Sequence, residues 1–104
     1  MKLWVDDVRP CPIGYDWCLT VNDTIGLIEW VEERSSGKSC EDIELIDLDH
    51  DAGDYVDMGG DYIKILDWLE ETGRNYPIRI HSANPVGIAN MRRIIERNGW
   101  IEVK

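Results

Sequence analysis

Apolar residues along the chain come in short blocks, each closed by an acidic, proline or glycine break, and the blocks differ in period. Lys2 to Val5 (KLWV) is an extended run ended by Asp6-Asp7. Arg9 to Tyr15 carries two prolines and a glycine and reads as loop. Trp17 to Val21 (WCLTV) is rich in β-forming residues and predicts a second strand. Asn22 or Asp23 can cap a helix with apolar positions at Ile25, Ile28 and Val31, running to about Arg34. The stretch SSGKS is loop, and Ile43 to Leu48 is a third strand. After an Asp- and Gly-rich loop from Ala52 to Gly60, Asp61 to Thr72 reads as a helix with Ile63, Leu66 and Leu69 on one side and Gly73 as its stop. Pro77 to Ile80 is a fourth strand. Asn84 followed by Pro85 opens a last helix that Gly99 ends, and Trp100 to Val103 is a fifth strand.

Strands alternating with helices predict an α/β protein with a mainly parallel sheet and right-handed crossovers. The first connection is irregular, because the segment between strands one and two has no helical pattern. About eleven residues at ~3.3 Å each can still return along a strand length. The five tryptophans, Trp4, Trp17, Trp30, Trp68 and Trp100, are spread as core aromatics would be.

At 104 residues the chain suits one domain, 1–104, with a single core. No run approaches the ~20 apolar residues of a membrane span, and the start MKLWVDD has no signal-peptide pattern. Three cysteines, Cys11, Cys18 and Cys40, suggest neither a disulfide framework nor a zinc site, so a cytoplasmic location is expected. The net charge of −10 excludes a duplex-DNA reader, which needs a basic stripe. Any contact with a nucleotide or RNA end must use a bridging metal or the few local cations, Arg9, Arg92, Arg93 and Arg97.

The acids gather at strand ends. Asp6 and Asp7 follow strand one, Asp49, His50 and Asp51 follow strand three, and His81 and Ser82 follow strand four in IRIHSANP. Open α/β sheets build ligand sites at these carboxyl ends. Carboxylates that close repel one another, and a divalent cation held through oxygen ligands would offset the cost. Each piece has a plainer reading. An Asp pair can be a turn, Ser82 can be a cap, His81 can be a satisfied core histidine, and Asp54, Asp57 and Asp61 can be solvated loop acids. The DxDxD spacing of Asp47, Asp49 and Asp51 is not an EF-hand, because its sixth and twelfth positions are Ala52 and Met58. The His50-Asp51 pair does not indicate an HD phosphohydrolase, because that family is all-helical.

The whole chain resembles a receiver domain of the two-component type. KLWVDD is similar to the receiver's first strand and acidic pair. LIDLDHDAGDYVDMGGDYIKIL is similar to the acceptor strand and its loop, which puts Asp49 at the acceptor position. HSA at 81–83 puts Ser82 at the hydroxyl position. The first crossover helix is replaced by a loop, His50-Asp51 and His81 are additions, and only Lys104 is a candidate for the receiver's lysine. With VDDVRP, LDHD and HSANPVG, these departures resemble the cyclic-phosphate processing receiver domains.

That resemblance implies a receiver-like (flavodoxin-like) three-layer fold with five strands in the order 2-1-3-4-5. It implies a metal-dependent phosphoesterase acting on cyclic phosphates, either cyclic nucleotides or RNA 2′,3′-cyclic phosphate ends. Asp6, Asp7, Asp49 and Asp51 would hold Mg²⁺ or Mn²⁺. His50 and His81 would act as base and acid, with Ser82 and Asp49 beside them. Arg9 and Asn84 would bind a phosphate-containing small molecule or RNA end. Two other readings stay open: a phosphoaccepting signalling receiver with Asp49 as acceptor, and a non-catalytic metal-binding module.

Overall fold

A computed structural model of the protein describes residues 1–35 and 42–104; Cys40 and most of the SSGKS loop lie outside them. The elements are β1 (Lys2–Val5), β2 (Tyr15–Cys18), α1 (Val21–Arg34), β3 (Leu45–Leu48), a 3-10 turn (Gly53–Tyr55), α2 (Ile63–Glu71), β4 (Ile78–Ile80) and α3 (Pro85–Asn98). All strand pairs are parallel, in the order β2-β1-β3-β4.

Three expectations on the elements change. β2 starts and ends earlier than Trp17–Val21, because Thr20 takes the capping job expected of Asn22 or Asp23; its hydroxyl accepts the Asp23 amide at 2.9 Å. The sheet has four strands rather than five. Trp100 to Val103 lies where the fifth strand was expected, but it meets β4 only in a single bridge, Ile78 to Glu102. Ile78 is the only β4 residue that exchanges hydrogen bonds with it, donating to Ile101 and accepting from Val103.

The layering also differs from the expected three. The steps β2 to β3 and β3 to β4 run in the same direction across the sheet, so right-handed crossovers put their helices on one face. α1 packs on α2 and α2 on α3. Arg92 of α3 pairs with Glu102 at 2.9 Å, in register with the helix-facing Ile78. Side chains alternate along each strand, so Leu3, Val5, Ile46, Leu48 and Ile78 face the helices and join one core with Ile28, Leu66, Met91 and Ile95. Lys2, Trp4, Tyr15, Trp17, Leu45, Asp47 and Arg79 face the other way. That side is crossed by the β1–β2 loop, whose Arg9 carbonyl accepts the Trp4 indole N–H at 3.1 Å.

The tryptophans divide accordingly. Trp4 and Trp100 are buried, whereas Trp17 and Trp30 are 48% and 53% exposed, so not all are core aromatics. Trp68 carries the Arg74 guanidinium at 4.1 Å from its ring centre.

Arg74, just past α2, is buried and grips Glu32 of α1 through Nε and Nη2 at 2.8–3.0 Å, while Tyr76 also donates to Glu32. This pair ties two helices together beneath the surface. Arg74→Ala would remove this buried guanidinium from the Glu32 carboxylate, and urea unfolding should show a loss of about 3–5 kcal/mol. A loss below about 1 kcal/mol would mean that the other groups around Glu32 meet its charge.

Candidate functional site

The site is built where β1 and β3 end. Asp6 follows β1 and has no exposed surface. The chain turns at once, so the Val8 and Arg9 amides donate to its Oδ1 at 2.9 and 3.0 Å. Its Oδ2 accepts from Arg9 Nη1 at 3.1 Å and from His81 Nε2 at 2.8 Å. Burial works against the charge on Asp6, but these donors outweigh it and hold the carboxyl down at about 2. Asp49 follows β3. Its Oδ1 accepts the His50 amide at 2.7 Å and its Oδ2 accepts Arg9 Nη1 at 3.1 Å.

Asp7 is placed by Gly53, which has a positive φ of 55° and closes against it. A Cβ at that position would lie 2.2 Å from Asp7 Oδ2. Asp6, Asp7 and Asp49 each offer an oxygen within 4.8 Å of the others.

His81 lies on the loop side of the sheet. Its ring stacks on Trp4 with centres 3.8 Å apart and planes 3° from parallel. Nδ1 meets Asp47 Oδ1 at 2.6 Å while Nε2 meets Asp6. Each ring nitrogen thus meets a carboxylate oxygen, and neither is left for another partner. Asp47, fully buried in mid-strand, also accepts from Arg79 Nη1 at 3.0 Å.

A second group forms beside the first. His50 Nδ1 meets Asp51 Oδ1 at 2.8 Å, and Asn84 Nδ2 reaches Asp51 Oδ2 at 3.3 Å. The hydrogen bond from His50 is the main reason the Asp51 carboxyl sits below its ordinary range. Asp61 accepts the Ala52 amide at 3.0 Å, which folds the loop back, so it is not simply a solvated acid. His50, Asp51 and Asp61 each bring a donor atom within 4.8 Å of the others.

The residues singled out in the sequence therefore separate into two groups. Asp6, Asp7, Asp49 and Arg9 come together. Asp51 stands with His50, Asp61 and Asn84. The two histidines are held by different carboxylates, His50 by Asp51 and His81 by Asp6 and Asp47. The Ser82 hydroxyl accepts the Asn84 amide at 3.1 Å in the turn before α3, and the Asn84 side chain caps Gly87 at 3.0 Å. Among the other local cations, Arg92 and Arg97 are engaged by Glu102 and Glu70.

Asp47, Arg79, Trp4 and Gly53 also shape the site and were not singled out for it. Asp47 and Arg79 were findable, since opposite charges in the middle of two apolar strands, LIDL and IRI, form a pair once the strands are neighbours.

The donor set fits a hard divalent cation, being carboxylate oxygen throughout. It is also short of positive charge. Arg9 is shared between Asp6 and Asp49, and Asp7 has no cationic partner among the described residues. Burial first, and then the charges of Asp6 and Asp49, push the Asp7 carboxyl upward.

A parallel sheet with acids at its carboxyl rim and a hydroxyl after β4 defines a receiver-like α/β domain. More narrowly, residues 1–97 match the family model of the cyclic-phosphate processing receiver domain, and the chain belongs to that family. No curated protein and no solved structure shows significant similarity to the chain. Among the described residues, no helix is long and apolar enough to cross a membrane.

A carboxyl raised in the folded state lends stability below its unfolded value and loses it as pH rises through the folded one. At pH 7 without metal, Asp7 therefore opposes folding. Asp7→Asn should raise the melting temperature at pH 7 and change it little at pH 3. A variant that melts lower at pH 7 would make Asp7 a structural acceptor instead.

Proposed function

We propose that the protein is a metal-dependent phosphoesterase that opens cyclic phosphates, on cyclic nucleotides or at RNA 2′,3′-cyclic phosphate ends. The observation that carries this reading is the convergence of three carboxylates around a single guanidinium, beside an imidazole with one nitrogen free of protein partners. Among the described residues no buried side-chain nitrogen or oxygen lacks a partner, so His50 Nε2, which has none, is not fully buried.

Asp6, Asp7 and Asp49 would hold the Mg²⁺ or Mn²⁺. Such an ion supplies neutralisation of phosphate charge. The chain's own residues do the rest. His50 Nε2 takes a proton from the attacking water as its oxygen bonds to phosphorus. One ester P–O bond breaks, and the protonated imidazole returns the proton to the leaving ribose oxygen. Ser82, whose oxygen already accepts the Asn84 amide, keeps its O–H to donate to a phosphate oxygen. Arg9 commits Nη1 to the carboxylates and is 41% exposed, which leaves the rest of its fork for the phosphate. Asn84 contributes indirectly, by placing Asp51. Asp51 itself supports His50 in this reading rather than joining the metal ligands. His81 has both nitrogens committed to carboxylates, so we give it the task of fixing Asp6, and proton transfer passes to His50 alone.

A phosphoaccepting receiver needs Asp49 as a nucleophile. Both Asp49 oxygens already accept hydrogen bonds, from the His50 amide and from Arg9, which draws electron density from the attacking atom.

Incubation with a 2′,3′-cyclic nucleotide and Mn²⁺ should yield a nucleoside monophosphate, and acetyl phosphate should leave no phosphoaspartate. The reverse result would make the protein a signalling receiver. Millimolar Mn²⁺ or Mg²⁺ should raise the melting temperature, since a ligand that binds only the folded state stabilises it. His50→Ala should cut turnover by about 10²–10⁴-fold and keep the metal-induced shift. Full activity in that variant would remove His50 from the chemistry.

A further inference from the structure

We infer that the start of α3 is a seat that fixes the His50 ring in one tautomer, with Asn84 and Gly87 as positioning residues acting on it through Asp51 and by close packing. The inference rests on the phosphoesterase reading for its purpose and on side-chain geometry for its existence.

His50 is a loop residue, and a loop imidazole would ordinarily sample several rotamers and both neutral tautomers. Three contacts remove that freedom. Asp51 Oδ1 lies 2.8 Å from Nδ1, and a carboxylate can only accept there, so Nδ1 carries the proton. Asp51 is in turn held by Asn84 Nδ2 at 3.3 and 3.5 Å to its two oxygens. The Cβ–Cγ–Cδ2 side of His50 rests on Gly87. A Cβ at that position would lie 2.5 Å from His50 Cγ, 2.7 Å from Cδ2 and 2.9 Å from the His50 Cβ. Gly87 has ordinary helical geometry, so a glycine is not required by the backbone there. What it provides is room for the imidazole.

The Asn84 side chain is the joint between helix and site. Its Oδ1 accepts the Gly87 amide at 3.0 Å and so starts α3, while its Nδ2 holds Asp51. One amide thus ties the position of the helix N-terminus to the orientation of the ring. An amide is the side chain that can do both, because it presents an acceptor and a donor on one plane. The seat commits Nδ1 to Asp51 and leaves Nε2 as the ring nitrogen without a protein partner.

The test reads the tautomer directly, by ¹⁵N NMR of the His50 ring in the full chain at mildly alkaline pH without metal. The wild type should show a single neutral form with the proton on Nδ1. Asn84→Asp keeps the cap acceptor, since Asp caps as well as Asn. It replaces the donor to Asp51 with a second carboxylate, so the melting temperature should fall modestly from their repulsion while the ring becomes a mixture of tautomers. Gly87→Ala should displace the ring, seen as large shifts of its resonances. In a cyclic-nucleotide assay both variants should lower kcat at least tenfold with KM changed less than threefold, and Asn84→Gln, which keeps the amide on a longer arm, should recover part of the loss. A wild-type ring with its proton on Nε2 or in an even mixture overturns the seat, as does an unchanged tautomer in Asn84→Asp. If Gly87→Ala fails to fold, Asn84→Asp alone decides. A fixed tautomer in a protein without turnover would uphold the seat and remove the phosphoesterase reading.

Discussion

A carboxylate that cannot reach water has to be met by donors, and Asp6 imposes that demand on everything around it. Two backbone amides, a guanidinium and an imidazole answer it. Each answer fixes something else. The amides set the turn that takes the chain off β1. Arg9 brings Asp49 to the same point. His81 carries the demand back to Asp47 and onto the Trp4 ring, and through Asp47 to Arg79. The two strand ends and the end of β4 are thus fixed relative to one another before any ligand is considered. Asp7, one residue on, is left with the charge that this arrangement does not answer.

The one-sided placement of the helices explains where this network lies. On the helix face an aspartate in mid-strand would face aliphatic side chains and have no donor. On the opposite face Asp47 meets Arg79, His81 and the hydroxyl of Tyr15, and a loop in place of a helix brings polar backbone over it. Burial there raises the Tyr15 hydroxyl, and the Asp47 charge adds to that. The polar layer is therefore a substitute for a second helical layer, built from ion pairs and stacked rings. It has less tolerance for loss of a partner than aliphatic packing, because each buried charge depends on the other.

Much of this was legible in the residues and some was not. Asp6-Asp7 and Asp49 close apolar runs, so their meeting at one rim follows once the strands are parallel neighbours. Asn84-Pro85 and Gly99 bracket α3 by local chemistry alone. The cap at Thr20 was missed because three candidate cap residues follow one another closely, and backbone geometry rather than residue type chooses among them. The fifth strand failed because propensity in Trp100 to Val103 says nothing of how much of β4 remains to pair with it. The role of His81 was out of reach for a different reason. A histidine after a strand can be a base or a brace, and only the positions of Asp47 and Asp6, 34 and 75 residues away in the chain, decide which. Gly87 was hidden likewise, since a glycine in a helix reveals its use only through the ring that touches it.

Replacing the first crossover helix by a loop also alters the order in which the sheet can assemble. Among the described residues no hairpin joins any two strands, so every pairing must close a long segment of chain. Lys2 pairs with Tyr15, 13 positions on, and with Leu45, 43 positions on, while Ile46 pairs with Ile78, 32 positions on. Closure entropy grows with the logarithm of the span, which makes the β1–β2 pairing cheaper than β1–β3 by about 1 kcal/mol. The shortened connection gives this all-parallel sheet a local starting point, and its folding rate should be less burdened by contact order than that of a sheet whose every crossover carries a helix.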